Sequence, residues 1–135
     1  MIQKLKILGE HKGLPFYTIG QRRGLGLNDT TPYYVVKIDK GQNRIVLGKE
    51  DDLYSKTISV SSVNWVSISA PETYITASVK LRSAHHGATA TLIPVSGNKV
   101  LLELENPERA VTPGQAAVFY QDNILLGGGM IDFSN

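Results

Sequence analysis

The sequence contains no cysteine. Disulfides, thiolate metal sites and a cysteine nucleophile are therefore excluded from this chain. It also lacks any apolar run near the ~20 residues that a membrane-spanning helix needs. The opening MIQKLKIL is short and is broken by Lys4 and Lys6, unlike the apolar centre of a signal peptide. A soluble, cytoplasmic chain with no membrane partner is the expectation. Helical spacing is missing as well, since apolar residues nowhere recur at i, i+3 and i+4 through three turns. No GxxxxGK[ST] occurs, and Gly20, Gly24 and Gly26 do not fit GxGxxG, so a nucleotide site is unsupported. No HExxH, no paired carboxylates in a catalytic context and no serine–histidine–acid set appears. No catalytic, metal or cofactor-binding residue is assigned.

What is present reads as strand. The chain has 135 residues, 41% of them hydrophobic, which is enough for a packed core. YYVVKID and RIVLGK flank KGQN, a hairpin signal with a glycine in the loop. TISVSSVNWVSI is rich in β-branched residues and alternates in part, and TYITASVKL is similar. ATATLIPV and KVLLELE flank SGN, and AAVFY and ILLGGGMI flank QDN, giving two further hairpins. Short strands at regular intervals point to an all-β sandwich or barrel, and closure into a barrel would remove exposed edges. The polar stretch GKEDDLYSK interrupts the pattern near residues 50–57, which divides the chain into 1–56 and 57–135. The first part reads as too short and too glycine-rich to bury a core of its own. It is expected to pack on the second part or to be the remnant of a larger domain.

Charge is small in sum and uneven in place. The net charge is +2, yet residues 1–27 hold Lys4, Lys6, Lys12, Arg22 and Arg23 against Glu10 alone. Within that segment, HKGLPFYTIGQRRGLGL has no acid at all. Its glycines permit close backbone approach and positive φ. Arg22 and Arg23 then either project forked donors toward phosphates or cap carbonyls and pair with acids in a tight turn. On an extended backbone, one arginine of the two would face a given ligand. Phe16 and Tyr17 beside these cations could stack on unpaired bases, with one of the pair turned into the core. His11, without a partner acid or serine, reads as structural. His85 and His86 are adjacent and point opposite ways on extended chain, so they read as a surface turn. Pro113-Gly114 supplies a turn, and Gly127, Gly128 and Gly129 mark a bulge, a barrel corner or a close backbone approach.

Taken in order, GEHKGLPFYTIGQRRGLGL, PYYVVKID, NRIVLG, NW, AVTPGQAAVFY and LGGGMI resemble the C-terminal part of the tRNA-specific 2-thiouridylases, across essentially the whole chain. The family also carries an older label, tRNA methyltransferase, but nothing in this sequence supports a methyl-donor site. The resemblance implies the end of a central domain followed by a small antiparallel β-barrel similar to those of translation factors. It further implies an N-terminal ATP-pyrophosphatase domain in the whole enzyme, holding the ATP and magnesium site and two catalytic cysteines. That enzyme adenylates the C2 oxygen of the wobble uridine and replaces it with persulfide sulfur supplied by a donor protein. With no phosphate loop and no cysteine, this chain cannot carry out that transfer alone.

On this resemblance Lys12, Gln21, Arg22, Arg23, Lys80 and Arg82 are the expected RNA contacts, and tRNA is the expected partner. One departure bears on them. Relatives commonly carry Lys-x-Arg-Tyr-Arg on a barrel strand, where this chain has Lys80, Leu81 and Arg82 followed by Ser83 and Ala84. A free-standing RNA- or ribosome-binding barrel, or a structural lid over an active site, stays open as an alternative.

Overall fold

A computed structural model describes residues 1–3, 6–27, 31–81 and 87–132. The chain divides into two compact units, Met1–Tyr54 with Arg109–Val111, and Ser55–Glu108 with Thr112–Asn135. Among the described residues there is no α-helix, only two short 3₁₀ turns, so none is long and apolar enough to cross a membrane.

The first unit is a four-stranded sheet. Its strands are β1 (Ile2–Gln3), β2 (Lys6–Ile7), β3 (Tyr34–Asp39) and β4 (Arg44–Gly48), in the order β2-β1-β4-β3. β3 and β4 form the expected hairpin, ending on the Asp39–Arg44 pair. Asn43 closes the turn at φ 52°, a conformation that asparagine tolerates better than most residues, and Asp39 Oδ1 accepts from the Gln42 N–H. β1 adds to β4 in parallel through Ile2 and Val46.

This unit does bury a cluster of its own, contrary to the reading of its glycine content. Met1, Tyr17, Leu25, Tyr33, Val35, Ile45 and Leu47 pack together, with Leu8, Leu14, Ile19, Leu27 and Ile38 against them. Of these, Val35, Ile45, Leu47 and Ile38 come from strands. The loop 8–27 supplies most of the rest, so the core is built from a segment that lacks strand periodicity.

The second unit is a closed six-stranded barrel. Its strands are β5 (Tyr54–Trp65), β6 (Ile75–Lys80), β7 (Ala88–Val95), β8 (Lys99–Arg109), β9 (Ala116–Gln121) and β10 (Ile124–Ile131). Their order around the wall is β10-β5-β8-β7-β6-β9. The interior is filled at alternate positions, including Ala77 and Val79, Ala90 and Leu92, Val100, Leu102 and Leu104, and Ala117 and Phe119. Along β5 the alternation breaks: Ile58 and Val60 are buried, and so is Val63. Ser62 explains the break, because it sits at φ 52° where the β5–β10 register shifts between Gly128 and Met130. A bulge of this kind adds one residue and returns Val63 to the inner face.

The three consecutive glycines of β10 lie opposite that bulge. Gly127 pairs with both Trp65 and Phe119, and Gly128 with both Asn64 and Val118. A Cβ on Gly128 would stand 2.7 Å from the Ala117 carbonyl oxygen, and one on Gly127 would collide with the Asn64 carbonyl. Bulge and close approach both hold here. Pro113-Gly114 forms the expected turn, with Gly114 at φ 85° and the Gln115 N–H donating to Thr112 O at 3.3 Å.

Candidate nucleic-acid-contacting site

The segment 11–27 is braced at both ends by buried side chains. Tyr17 and Leu25 are both buried in the first unit's core, Ile19 packs against it, and Arg22, Arg23 and Gly24 between them are exposed. His11 anchors the start. Its Nδ1 accepts from the Gly13 N–H at 3.1 Å, so the remaining hydrogen resides on Nε2, which donates to Asn43 O at 2.8 Å. The imidazole thus ties this segment to the β3–β4 turn, and its ring meets Tyr17 edge-on at 5.9 Å. The Tyr17 hydroxyl accepts from the Lys12 N–H at 3.0 Å. The structural reading of His11 follows from these contacts, and the inward member of the aromatic pair is Tyr17. Phe16 is 73% exposed.

The arginine loop is pinned by backbone and by one amide. The Gly20 N–H donates to Val35 O at 2.8 Å, and the Val35 N–H donates to Gln21 O at 2.9 Å. Gln21 Oε1 accepts from the Thr18 N–H at 3.0 Å, while its Nε2 donates to Arg23 O at 2.9 Å. Gln21 therefore braces the loop from within. Gly20, Gly24 and Gly26 lie at φ 89°, 74° and 69°, where a side chain would be strained. Arg22 and Arg23 both project into solvent from this frame, and Lys12 is exposed on the same segment.

One charged group near the loop was not legible in the sequence. Arg109 Nε donates to Glu50 Oε1 at 2.7 Å and Nη2 to Oε2 at 3.2 Å, a forked pair across 59 positions. The guanidinium also lies 5.8 Å over the Tyr34 ring. The hydrogen bond from Arg109 is the largest influence on the Glu50 carboxyl and holds it below its ordinary value. Partial desolvation opposes this, while the charges of Arg109 and Arg22 and a Tyr34 hydrogen bond assist. Arg109 is thereby engaged with a carboxylate. The sequence placed Glu50 only in a polar interruption, and no local spacing links it to Arg109.

In the second unit, Lys80 is exposed on β6 and its Nζ lies 5.7 Å from the Tyr120 ring centroid. Arg82 falls outside the described residues, as do His85 and His86. A shallow groove on the barrel wall is lined by Lys56, Thr57, Thr89, Thr91, Glu103 and Glu105. Two acids against one lysine make it a poor seat for a polyanion. Among the described residues no group of three histidines or acids is placed to hold a metal ion. Lys12, Gln21, Arg22 and Arg23 thus share one braced segment of the first unit, and Lys80 stands on the barrel.

Residues 1–49 match the family model of a tRNA methyl transferase PRC-barrel domain, and residues 55–131 match that of an aminomethyltransferase β-barrel domain. The tRNA-specific 2-thiouridylase MnmA of Desulfotalea psychrophila is 44% identical over 126 residues, covering 93% of this chain and 37% of the relative. Its counterpart in Gloeothece citriformis is 45% identical over 129 residues, covering 96% and 37%, respectively. The chain belongs to the tRNA-specific 2-thiouridylase family. It spans little more than a third of the length of these relatives. The counterpart in Halothermothrix orenii, 44% identical over 125 residues, gives the same proportion, 93% of this chain and 35% of its own. The 2-thiouridylase match therefore takes in the braced loop, the first unit's sheet and the barrel. It leaves most of each relative without a counterpart in these residues.

Proposed function

We propose that this chain is the tRNA-contacting, substrate-positioning part of an enzyme that 2-thiolates the wobble uridine of tRNA in the cytoplasm. The observation that carries the reading is the pair Arg22 and Arg23, both exposed, on a loop pinned to Val35 in an acid-free segment. A rigid, cationic projection suits phosphate contact, because less side-chain and backbone freedom is lost on binding. Lys12, Arg22 and Arg23 contact phosphates, Gln21 holds the loop that presents them, and Lys80, with Arg82, adds charge from the barrel. The chemistry belongs to a further domain of the longer enzyme, which supplies ATP and magnesium sites and reactive cysteines, fed by a sulfur-donor protein. This chain's contribution is placement, where an error of about 1 Å at the uridine lowers the rate severely.

The test is tRNA binding by the 135-residue chain across a salt series. Phosphate contact predicts a linear fall of log K with log salt, with a slope of about −0.7 to −0.9 per phosphate engaged. Charge reversal at Arg22 and Arg23 should make that slope shallower. No binding at low salt, or binding indifferent to both substitutions, counts against the reading and favours a scaffold or lid.

A further inference from the structure

Residue 16 carries an aromatic ring into solvent where the fold had a core to offer. Its neighbour Tyr17 is 7% exposed and joins the core, while Phe16 is 73% exposed. The ring does not hang from a loose loop. Leu14–Phe16 forms a 3₁₀ turn in which the Phe16 N–H donates to Gly13 O at 3.1 Å and the Tyr17 N–H to Leu14 O at 3.1 Å. Pro15 fixes its own φ within that turn. Gly13, at φ 125°, leaves the space beside the ring open, since a Cβ there would stand 3.4 Å from the Phe16 Cδ2. His11 secures Gly13, and the buried Tyr17 secures the other end.

The segment that carries the ring is cationic. Lys12 precedes it, Arg22 and Arg23 follow it, and no acid occurs from His11 to Leu27. An exposed aliphatic residue such as Ile7 is ordinary on a protein surface and has no π face. A rigid aromatic face on the same braced segment as exposed forked cations can take an unpaired base on the ring and leave its phosphates to the arginines.

We propose that Phe16 is a stacking platform for an unpaired base of the bound RNA, which makes the first unit a reader of looped or single-stranded nucleotides rather than duplex. This rests on the RNA-contacting reading above. The test compares the 135-residue chain with Phe16→Ala, Phe16→Trp and the double variant Arg22→Glu/Arg23→Glu. The probes are a tRNA transcript, a single-stranded oligoribonucleotide and a blunt RNA duplex of equal length.

Phe16→Ala should weaken single-strand binding about 5- to 150-fold and leave duplex binding and the log–log salt slope unchanged, because no phosphate contact is lost. Phe16→Trp should bind at least as well as the parent chain. The thermal midpoint should not move, as the ring is exposed. If Phe16→Ala binds single strands like the parent while the double variant does not, stacking is overturned and the phosphate reading stands. A ring that docks a protein segment instead would give that result. Equal loss on single strand and duplex, or a Phe16→Trp chain as weak as Phe16→Ala, also overturns stacking. A parent chain that binds none of the three probes overturns both readings.

Discussion

Arg109 grips Glu50 through two nitrogens, 2.7 Å and 3.2 Å from the two carboxylate oxygens. The pair lies at the surface, with side chains 41% and 44% exposed, so water and salt screen it and its contribution to stability is small. Its sign with pH is nevertheless fixed. Glu50 titrates below its ordinary value of 4.5, so the folded state favours the ionised form. That stabilisation is present above about pH 4.5 and is lost as pH falls through the folded value. Glu50→Gln should lower Tm at neutral pH by at most a few °C, and the gap from the parent chain should close on acidification. A gap independent of pH would show that the pair does not contribute. Asp132 acts in the same direction, held below its ordinary 3.8 chiefly by a hydrogen bond from Ser61.

Gly127 and Gly97 separate space from backbone conformation. Gly97 sits at φ 78°, and a Cβ added there would meet nothing within 4 Å, so Gly97→Ala should cost about 1–2 kcal/mol for the left-handed backbone alone. Gly127 has no positive φ, but its Cβ would meet the Asn64 carbonyl and lie 3.0 Å from Trp65 Cα. Both obstacles are backbone in the paired strand and cannot rotate away. Gly127→Ala should therefore cost more than about 3 kcal/mol, a large share of the stability of a domain this size. Urea unfolding of both variants checks the order.

How far the fold was legible depends on the range of the interaction. The three hairpins followed from β-branched runs flanking KGQN, SGN and QDN, because strand and turn preferences act between near neighbours. The partial alternation of TISVSSVNW was visible but unexplained until Ser62 appeared as a bulge. The first unit's core was misjudged because Tyr17 and Leu25 lie in a segment with no period, and only the pinning to Val35 brings them inward. In the candidate site, the exposure of Arg22 and Arg23 fits their charge and glycine neighbours. The bracing role of Gln21 and the Arg109–Glu50 pair depended on three-dimensional placement that no spacing rule encodes.

His11 bridges two turns through opposite ring nitrogens, and the two bonds can be removed separately. His11→Ala deletes both and should cost about 1–3 kcal/mol, at roughly 0.5–1.5 per lost hydrogen bond. Asparagine at the same position can accept from an N–H two residues ahead, as in an Asx turn, but is too short to reach Asn43 as the imidazole does. His11→Asn should therefore recover part of the loss. Identical stabilities for the two variants would mean that the Gly13 contact carries none of the effect.

Arg22 and Arg23 stand on adjacent residues but meet different surroundings. Arg22 lies close enough to Glu50 for its charge to help hold that carboxyl ionised, and Glu50 is in turn gripped by Arg109. Arg23 shows no such influence on Glu50, and its own carbonyl is held by Gln21. Part of the Arg22 charge is thus already answered within the protein. On this basis Arg23→Ala should reduce the magnitude of the tRNA salt slope by about 0.7–0.9, the value of one phosphate contact. Arg22→Ala should reduce it by less. Replacing Glu50 with glutamine should then raise RNA affinity at low salt, by releasing Arg22 and Arg109 from a competing carboxylate. Equal slopes for the two alanine variants, together with an unchanged affinity for Glu50→Gln, would show that the carboxylate does not compete with phosphate.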